Sequence, residues 1–563
     1  MLARDAAIDR LLALPEDAAP ILIVGGGING IGLFRDLARM GLPSVLIEKA
    51  DFASGTSAAS SRLIHGGLRY LETGEFALVR ESVVERNALL KNAPHLVRPQ
   101  PVLVPAYSLF GGVVSAGLRF LKLKKTPGPK GILPVKIGLT FFDRFGQGNG
   151  TMPRHRILSA AAGRRRVPGL SPRVRAVAEY YDTRLVHPEW LALELIADAE
   201  ADCPEALALN HIEVTGAPHG RVVLTDRLSG ARHSIAPRLV VNCAGAWVDR
   251  VNAALGLQTG YMGGTLGSHL ILDRPDLVQG LDGTMLYFET ADYRACLIYA
   301  IDDRHILMGT TDIRAQDPDR AVCSEDEIDY IFRVTAEVLP QANFRREDIS
   351  YTYAGIRPLP ASNSAVTGAI SRDHTFHHLP PDDTRPYDML VLVGGKWTTY
   401  RACAEQLGDR VLALLGQTRH HSTLDLPIGG GRGMSAPGAA ERLGEELTRA
   451  GIARDVAARL VDRYGSRATD LVAAVLDDPA PVSGTRYSRG EIRWLAGVGR
   501  IGQLSDMVLR RTRLPFDGGL TRAALAEIAD ICGELLGWTS ARRRDEVEAV
   551  VATLASRHGT PVT

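Results

Sequence analysis

Long apolar runs, paired cysteines and net charge are all scarce in this chain of 563 residues. No apolar run reaches the length of a membrane-spanning helix, and the first residues do not follow the pattern of a signal peptide. The net charge of +1 creates no overall field, so we expect no nucleic-acid partner. The six cysteines are scattered without a C-x-x-C pair, which predicts reduced thiols in a cytoplasmic setting and neither disulfides nor a metal site.

Lysine is also rare, with eight residues in the whole chain. Five of the eight lie in one stretch where aliphatic and phenylalanine residues alternate with them, namely Lys122, Lys124, Lys125, Lys130 and Lys136. A basic amphipathic surface of this kind favours contact with anionic lipid headgroups, and a solvated loop is the alternative.

The rest of the chain is organised around residues 21–32. The apolar run at 21–24 predicts a strand buried on both faces, and a helical pattern follows it. Between them, Gly25, Gly27 and Gly30 fit G-x-G-x-x-G. The first glycine permits a tight turn, the second lets a pyrophosphate approach the backbone, and the third lets the helix pack on the strand. This arrangement predicts a dinucleotide site at the start of the helix.

A second predicted strand, at 44–47, ends in Glu48, which follows the glycines by about twenty residues. An acid at this place accepts hydrogen bonds from a ribose hydroxyl and argues against the 2′-phosphate of NADP. The choice between NAD and FAD stays open on these residues alone.

Small and hydroxyl-bearing residues fill 51–61, and an unusual group of polar residues, SRLIHGGLRYLE, follows at 61–72. Such a segment offers many hydrogen bonds at close range. It is suited to surround the phosphates and ring of a cofactor, and a plain surface loop is the alternative.

With its other motifs, the chain closely resembles the FAD-dependent glycerol-3-phosphate dehydrogenases, a branch of the amino-acid-oxidase-like flavoproteins. The resemblance extends from about residue 18 to the C-terminal helices. The motifs that carry it are GGGINGIG at 25–32, GTSAASSRLIHGGLRYLE at 55–72, LGSH at 266–269, GTTD at 309–312, YAGIRPL at 353–359 and GGKWTTYR at 394–401.

Together with the strand and helix patterns, the resemblance implies an α/β protein. We expect a Rossmann-like FAD-binding domain interleaved with a β-sheet substrate domain, plus a helical C-terminal domain. The glycine-rich break at 429–433 is predicted to be a linker. The predicted boundaries are 18–95, 180–248 and 350–428 for the FAD-binding domain, 96–179 and 249–349 for the substrate and membrane-facing domain, and 434–563 for the helical domain.

The resemblance implies that the cofactor is FAD. A second strand–glycine–helix junction, with a strand at 389–393 and a helix at 401–415, would direct a positive helix end at the reduced flavin. The residues expected to bind the cofactor are Gly25, Gly27, Gly30, Glu48, Lys49, Thr56, Ser57, Ser61, Arg62, Leu63, His65, Gly66, Gly67, Ile212, Ala244, Gly245, Gly395, Lys396 and Thr398.

The substrate of the resembling family is a phosphomonoester with a charge near −2, which requires several cations. Arg69, Arg357 and Lys396 each lie in a glycine-flanked motif, and Tyr70 adjoins the first of them. Arginine's planar fork suits a phosphate group. We therefore predict that these four residues bind the substrate phosphate, with structural ion pairs or backbone caps as the alternative roles.

Oxidising a secondary alcohol removes a hydride from carbon and a proton from oxygen, and histidine is the natural base. His65 and His269 compete for this role. His65 lies in the segment that surrounds the flavin, so it can hold the ring instead of acting as the base. Arg357 is a further catalytic candidate, because it can orient or stabilise the alkoxide.

One position departs from the family pattern, which usually has lysine immediately before Gly-Ser-His, whereas this chain has Leu266. The departure makes another polyol phosphate, such as an erythritol phosphate, more plausible as the substrate.

The predicted function is FAD-dependent oxidation of sn-glycerol 3-phosphate to dihydroxyacetone phosphate. The hydride passes to flavin N5 and the electrons to a quinone, at the inner face of the cell membrane. The alternatives are an oxygen-using oxidase, an amine or amino-acid oxidase, and a non-catalytic flavin-binding protein docked on a membrane. The electron acceptor and the oligomeric state, including a homodimer, stay open.

Overall fold

The computed structural model describes residues 4–15, 19–67, 75–109, 111, 131–146, 152–290, 292, 294–362, 373–518 and 520–562. Its strands, in chain order, are β1 (Ile21–Val24), β2 (Ser44–Ile47), β3 (Leu63–Ile64), β4 (Val97–Ala106), β5 (Arg156–Ser159), β6 (Ala176–Leu185), β7 (Leu207–Leu209), β8 (Ile212–Gly216), β9 (Val222–Asp226), β10 (Arg232–Ile235), β11 (Leu239–Asn242), β12 (Thr265–Asp273), β13 (Met285–Glu289), β14 (Ala295–Ala300), β15 (His305–Gly309), β16 (Ile313–Arg314), β17 (Ile349–Arg357), β18 (Thr375–Leu379) and β19 (Asp388–Val393).

The helices in the same ranges are α1 (Arg4–Leu12), α2 (Ile28–Arg39), α3 (Phe76–Asn92), α4 (Ile132–Gly146), α5 (Ala160–Arg166), α6 (Pro188–Asp202), α7 (Val248–Ala254), α8 (Pro275–Leu281), α9 (Glu325–Val338), α10 (Tyr400–Leu414), α11 (Ala439–Arg449), α12 (Arg454–Tyr464), α13 (Val472–Asp477), α14 (Arg489–Val498), α15 (Leu504–Asp506), α16 (Leu514–Asp517), α17 (Arg522–Leu536) and α18 (Ser540–His558). A π-helical turn, Met507–Arg511, follows α15.

The first sheet has the strand order β18-β19-β11-β1-β2-β7, and within it only β18 runs antiparallel to its neighbour. All residues of β1, β2 and β11 are buried, as expected for parallel strands covered on both faces. Helix α2 begins directly after the glycine turn and packs against α6 and α10. The predicted strands at 21–24 and 44–47 and the helix after the glycines are therefore confirmed.

The second sheet is largely antiparallel and has the order β16-β12-β15-β14-β13-β4-β6-β3, with β17 also paired to β12 and β5 to β6. Side chains of β12 alternate between its two faces. Leu270 and Leu272 pack in an apolar cluster with residues of α9, whereas Ile271 belongs to the larger core. The same alternation decides which residues of β12 reach the cavity described below.

Residues 429–431 are not a linker, and the prediction for this stretch is wrong. Gly429, Gly430 and Gly431 are buried in a single 3₁₀ turn. The Gly429 N–H donates to Asp198 Oδ2 at 2.9 Å, and the Gly430 N–H donates to Glu194 Oε1 at 3.2 Å. A Cβ on Gly429 would meet the Glu194 side chain of α6, one on Gly430 the Tyr464 carbonyl of α12, and one on Gly431 the Asn92 carbonyl of α3. Only glycine fits at these three contacts, which join the following helices to the body of the protein.

Part of the predicted lipid-facing stretch lies outside the described residues, since Lys122, Lys124, Lys125 and Lys130 fall within 112–130. Lys136 lies on helix α4. In the ranges that the structure describes, we find no helix with both the length and the apolar character needed to cross a bilayer.

Candidate active site

A cavity of about 1140 Å³ lies at the carboxyl ends of the parallel strands, against the ten-stranded sheet. Residues that follow β1, β2, β11 and β19 line one end, and residues of β6, β12, β14 and β17 line the other. Ligands of open α/β sheets bind at this edge. The C-terminal helices also contribute to the lining, through Gln503, Ser505, Asp506 and Arg557 among others.

The glycine turn after β1 presents backbone to the cavity. Gly25 has a φ of +112°, and a Cβ on Gly30 would lie 2.0 Å from the Gly25 carbonyl oxygen, so neither position accommodates a side chain. Gly27 lines the cavity at the start of α2. The Ile28 N–H of that helix donates to Ser57 Oγ at 3.0 Å. A helix start of this kind is an anion-binding site.

Glu48 lines the cavity beside the turn and is held by backbone groups. Its Oε2 accepts a hydrogen bond from the Gly26 N–H at 2.8 Å, and its Oε1 accepts one from the Ala50 N–H at 3.0 Å. Burial raises the pKa of this carboxyl, against the effect of the two N–H donors. Each carboxylate oxygen retains acceptor capacity, so Glu48 can also accept hydrogen bonds from ribose hydroxyls.

Lys49 lies at the cavity wall in a cluster with Trp247 and Asp319. Its Nζ is 2.9 Å from Asp319 Oδ1 and 4.6 Å from the centroid of the Trp247 ring. The Trp247 indole N–H donates to the same Asp319 oxygen at 2.8 Å. The ammonium group is therefore fixed by protein partners at this end of the cavity.

The C-terminal helices are attached to the nucleotide end by buried ion pairs. Both terminal nitrogens of Arg511 donate to Asp51, Nη2 to Oδ1 at 2.7 Å and Nη1 to Oδ2. His211 Nε2 lies 2.9 Å from Asp506 Oδ2. The His211 N–H also donates to the Ala50 carbonyl at 2.8 Å. These contacts connect the residues next to Glu48 with helices more than 450 residues further along the chain.

The predicted hydroxyl-rich segment follows the cavity wall and connects its two ends. Thr56 Oγ1 donates to the Ile356 carbonyl at 2.6 Å, and the Trp397 indole N–H donates to the Ser57 carbonyl at 2.9 Å. At the far end, Ser61 Oγ lies 2.8 Å from His269 Nε2.

Four of the predicted cofactor residues do not line the cavity. The Arg62 side chain instead donates to the Val186 carbonyl, pairs with Glu189 at 3.3 Å and packs over the Phe516 ring. This buried pairing turns its charge away from any ligand in the cavity. The other three are Gly30 beneath the turn, Gly66, whose N–H donates to Asp182, and Ile212, whose N–H supports the Glu48 carbonyl.

The remaining described cofactor candidates do line it. They are Gly25, Gly27, Glu48, Lys49, Thr56, Ser57, Ser61, Leu63, His65, Gly67, Ala244, Gly245, Gly395, Lys396 and Thr398.

His269 lies at the end of the cavity opposite the glycine turn. Its ring stacks on Tyr353 with centroids 4.8 Å apart and planes 12° from parallel. Burial lowers the pKa of His269 to about 3, and the nearby Arg357 and Arg62 guanidinium groups add to the effect. The imidazole is therefore neutral at physiological pH, and without a bound anion the site disfavours its protonated form.

Arg357 lies across the backbone of β12 at the same end. A Cβ on Gly267 would lie 2.2 Å from Arg357 Nη2, so the guanidinium group occupies the space that a side chain would need. Nη1 is 3.3 Å from Asp312 Oδ1, and Nη2 donates to Thr310 Oγ1 at 3.1 Å. Its position is thus fixed from two sides.

Lys396 and His65 also line the cavity, and the His65 N–H donates to Thr398 Oγ1 at 3.3 Å. Arg69 and Tyr70 lie outside the described residues, so their predicted phosphate contacts remain predictions. Leu266, the departure from the family pattern, does not line the cavity.

Sequence reasoning missed several residues of the site. Arg294 and Asp292 line the substrate end and form an ion pair at 3.1 Å. Asp312 belongs to the GTTD motif at 309–312, but nothing in that motif indicates that it holds Arg357. No local signal marks the contribution of the C-terminal helices, because it arises from contacts between segments far apart in the chain.

Comparison with known proteins agrees with this geometry. A family model described as FAD dependent oxidoreductase matches residues 20–410, and the C-terminal domain of alpha-glycerophosphate oxidase matches residues 421–543. The chain is 33% identical to a glycerol-3-phosphate dehydrogenase of Synechocystis sp., over 93% of this chain and 94% of that protein. It is 31% identical to a D-erythritol 1-phosphate dehydrogenase of Brucella abortus, over 89% of this chain and 95% of that one.

Solved structures show the same fold. The glycerol-3-phosphate dehydrogenase from Bacillus halodurans, solved in complex with FAD, superposes with a TM-score of 0.75 at 22% identity, covering 98% of each chain. Since a family model spans most of the sequence and relatives above 30% identity align over nearly all of it, the chain belongs to the FAD-dependent oxidoreductases, in their glycerol-3-phosphate dehydrogenase family.

Proposed function

We propose that this protein oxidises sn-glycerol 3-phosphate to dihydroxyacetone phosphate with FAD as its cofactor. The observation that carries the proposal is the shared cavity. One end has a glycine turn, a helix start and Glu48, and the other has a neutral His269 near Arg357, while Lys396 lines the same cavity on the loop after β19.

The residues present fit FAD. Gly27 leaves the start of α2 open to a pyrophosphate, and Glu48 retains acceptor capacity for a ribose. The loop that follows β19, with Gly395 and Thr398, lines the same cavity and would hold the flavin ring. When bound, FAD accepts the hydride that leaves the substrate carbon. The contribution of the protein is to bind and orient the two partners and to exclude water from the cavity.

A phosphomonoester carries about two negative charges, and the substrate end of the cavity offers cations for it. The Arg357 guanidinium is held in place by Thr310 and Asp312, so a phosphate meets a preorganised partner. Each charge-assisted hydrogen bond of this kind contributes about 1.5–3 kcal/mol. Lys396 adds a second positive group, and Arg69 and Tyr70 are proposed to complete the site.

The hydroxyl proton of the substrate needs an acceptor, and we assign this role to His269. It is neutral, and its Nε2 is held by Ser61 Oγ. Arg357 contributes to the low pKa of this ring, so a bound phosphate that neutralises Arg357 raises the proton affinity of the imidazole. His65 lines the same cavity and is the competing base, with Arg357 as a further group to stabilise the alkoxide.

For the electron acceptor we propose a quinone, reached from the inner face of the cell membrane. Helix α4 exposes Leu133, Ile137 and Phe141 to solvent and carries Lys136. Apolar and basic groups on one helix favour anionic lipid headgroups. Removing the charges of Lys122, Lys124 and Lys125 should weaken sedimentation with anionic vesicles, and unchanged sedimentation would exclude this surface as the contact.

The decisive experiment is anaerobic reduction of the bound flavin. Glycerol 3-phosphate should bleach the flavin, whereas glycerol, glycine and proline should not, which separates the proposal from an amino-acid oxidase. Peroxide formed without added acceptor would identify an oxidase. Flavin that stays oxidised with every polyol phosphate would support a non-catalytic role.

Arg357→Ala tests the substrate assignment. We expect a steep rise in KM, on the order of tenfold to a hundredfold, with full FAD content. Loss of FAD instead would give Arg357 a structural role.

An erythritol phosphate is the second candidate substrate, because one relative is named for it at 31% identity. Leu266 no longer bears on this choice, since it does not line the cavity. Bleaching rates with glycerol 3-phosphate and erythritol phosphates, measured side by side, decide between them.

A further inference from the structure

A buried carboxylate, Glu327, lies on the face of β12 opposite the cavity. Glu327 is only 2% exposed to solvent. It occupies the third position of α9, where its Oε2 accepts from the Ser324 N–H at 3.0 Å as part of a capping box. Within the part of the chain that the structure describes, no arginine, lysine or histidine forms an ion pair with it.

The second oxygen of this carboxylate reaches beyond the helix cap. Oε1 accepts hydrogen bonds from Ser268 Oγ at 2.8 Å and from Thr311 Oγ1 at 2.6 Å. The Ser268 N–H in turn donates to Thr311 Oγ1 at 2.9 Å. Ser268 and Thr311 are both fully buried. One oxygen atom therefore joins two chain segments that are otherwise separated by more than forty residues.

Each of these segments is a triplet whose outer residues face the cavity, and Thr311 also borders it while its hydroxyl bonds to Glu327. In the first triplet, Gly267 lies under the Arg357 guanidinium and His269 lines the cavity, with Ser268 between them turned towards α9. In the second, the residues on either side of Thr311 are Thr310 and Asp312, and both hold Arg357. Ser268 and Thr311 thus anchor the two segments that place His269 and hold Arg357.

We propose that Glu327 is a positioning residue for the oxidation, acting through Ser268 on His269 and through Thr311 on Arg357. This inference rests on the proposed function for the identity of the substrate but not for the geometry. A helix cap alone does not need a buried carboxylate, because Ser324 already caps α9. A buried carboxylate is stable only when its oxygens are hydrogen-bonded, and here two of the donors belong to the active-site triplets.

Two variants interrupt the network at different points. Glu327→Gln keeps the size of the side chain but places an amide N–H₂ against either the Ser324 N–H or the two hydroxyls. Thr311→Val keeps the shape of residue 311 and removes its hydroxyl. Ser324→Ala is the matched control. It removes the cap hydroxyl of α9, which also donates to Glu327 Oε2 at 3.1 Å, and it leaves the Ser324 N–H bond and the two bonds to Oε1 in place.

The readouts separate positioning from folding. Inorganic phosphate is titrated into the oxidised holoenzyme and followed by the perturbation of the flavin spectrum. We expect Glu327→Gln and Thr311→Val to weaken phosphate binding about tenfold and to lower kcat/KM for glycerol 3-phosphate by a similar factor, at full FAD content. Ser324→Ala should lower Tm and leave both constants within about twofold of the parent. Because both variants cut one network, the double variant should lose less than the product of the two single effects.

The inference is overturned if Glu327→Gln or Thr311→Val binds phosphate as the parent does, or if Ser324→Ala weakens binding equally. If Glu327→Gln fails to fold, Thr311→Val gives the same decision alone. Parent enzyme that binds phosphate but is not reduced by any polyol phosphate would overturn the proposed function and leave the positioning role standing.

Discussion

The two ends of the cavity are built in opposite ways. The nucleotide end comes largely from one stretch, residues 25–57, and it uses backbone groups, a helix start and one carboxylate held by backbone N–H donors. The substrate end uses side chains from β12, β17 and the turn at 310–312, which meet only in the folded sheet. The nucleotide end therefore depends on backbone shape, and the substrate end depends on the register of side chains across strands.

The largest expected effect concerns the attachment of the C-terminal helices to the nucleotide end. Arg511→Met leaves Asp51 buried without its partner. Removing one member of a buried pair costs about 3–5 kcal/mol. We expect a large fall in the free energy of unfolding and loss of FAD, measured by denaturant unfolding and flavin fluorescence.

The control for this prediction is Arg522→Ala, which removes an exposed pair with Glu548 in the same helical region. It should leave the free energy of unfolding nearly unchanged, because exposed ion pairs contribute little to stability. Equal effects of the two variants would mean that the C-terminal helices do not support the nucleotide end.

The second prediction tests the dependence on backbone shape. Gly30→Ala places a methyl group 2.0 Å from the Gly25 carbonyl oxygen, so the turn must shift. Overpacking of this kind costs about 1–3 kcal/mol, and we expect weaker FAD binding with it. Gly280→Ala is the matched control, because nothing lies within 4 Å of its added methyl group. That control should be neutral or slightly stabilising, as helical glycines usually are when replaced by alanine.

The third prediction applies the same substitution to the other end. Gly267→Ala places its methyl group 2.2 Å from Arg357 Nη2. The guanidinium must move, so KM for the phosphate substrate should rise about tenfold while FAD stays bound. If Gly267→Ala kept the parent KM but lost FAD, the two ends of the cavity would not depend separately on backbone shape and on side-chain register.

The contrast also explains what could be read from the sequence. The strand, glycines, helix and terminal acid of the nucleotide end are contiguous, and local patterns locate them within a residue. Glu48 and Ser57 were predicted for this reason. The linker predicted at 429–433 is wrong for the buried turn at 429–431, because glycines that allow close packing and glycines that allow flexibility form the same local pattern.

At the substrate end the motifs identified His269 and Arg357, but their partners were not predictable from local pattern. Asp312 meets Arg357 across the sheet, and Arg511 reaches Asp51 from the far end of the chain. Arg62 shows the converse, since it lies in a cofactor motif while Glu189 on α6 holds its charge away from the cavity. Neighbours across a fold decide where a charge points, and the sequence around that charge does not contain them.

The last prediction concerns a difference in pH dependence between the two ends. Burial lowers the pKa of His211, but the carboxylates of Asp506 and Asp51 together raise it by more, so the folded value lies above the ordinary 6.5. Its stabilising contribution is therefore complete below pH 6.5 and is lost as the pH rises through the folded value. For His269 the pKa falls to about 3, so stability is lost as the pH falls from 6.5 towards 3, where only the unfolded chain binds the proton.

Thermal unfolding followed from pH 4 to 9 separates these two contributions. His211→Gln should flatten the decline of Tm above pH 6.5. Because His211 also lowers the pKa of Asp506, the variant should lose additional stability on the acid side. His269→Gln should flatten the acid side and leave the alkaline decline in place. If His269→Gln alters the alkaline decline, the ionisations at the two ends are coupled, and the cavity responds to pH as one electrostatic unit.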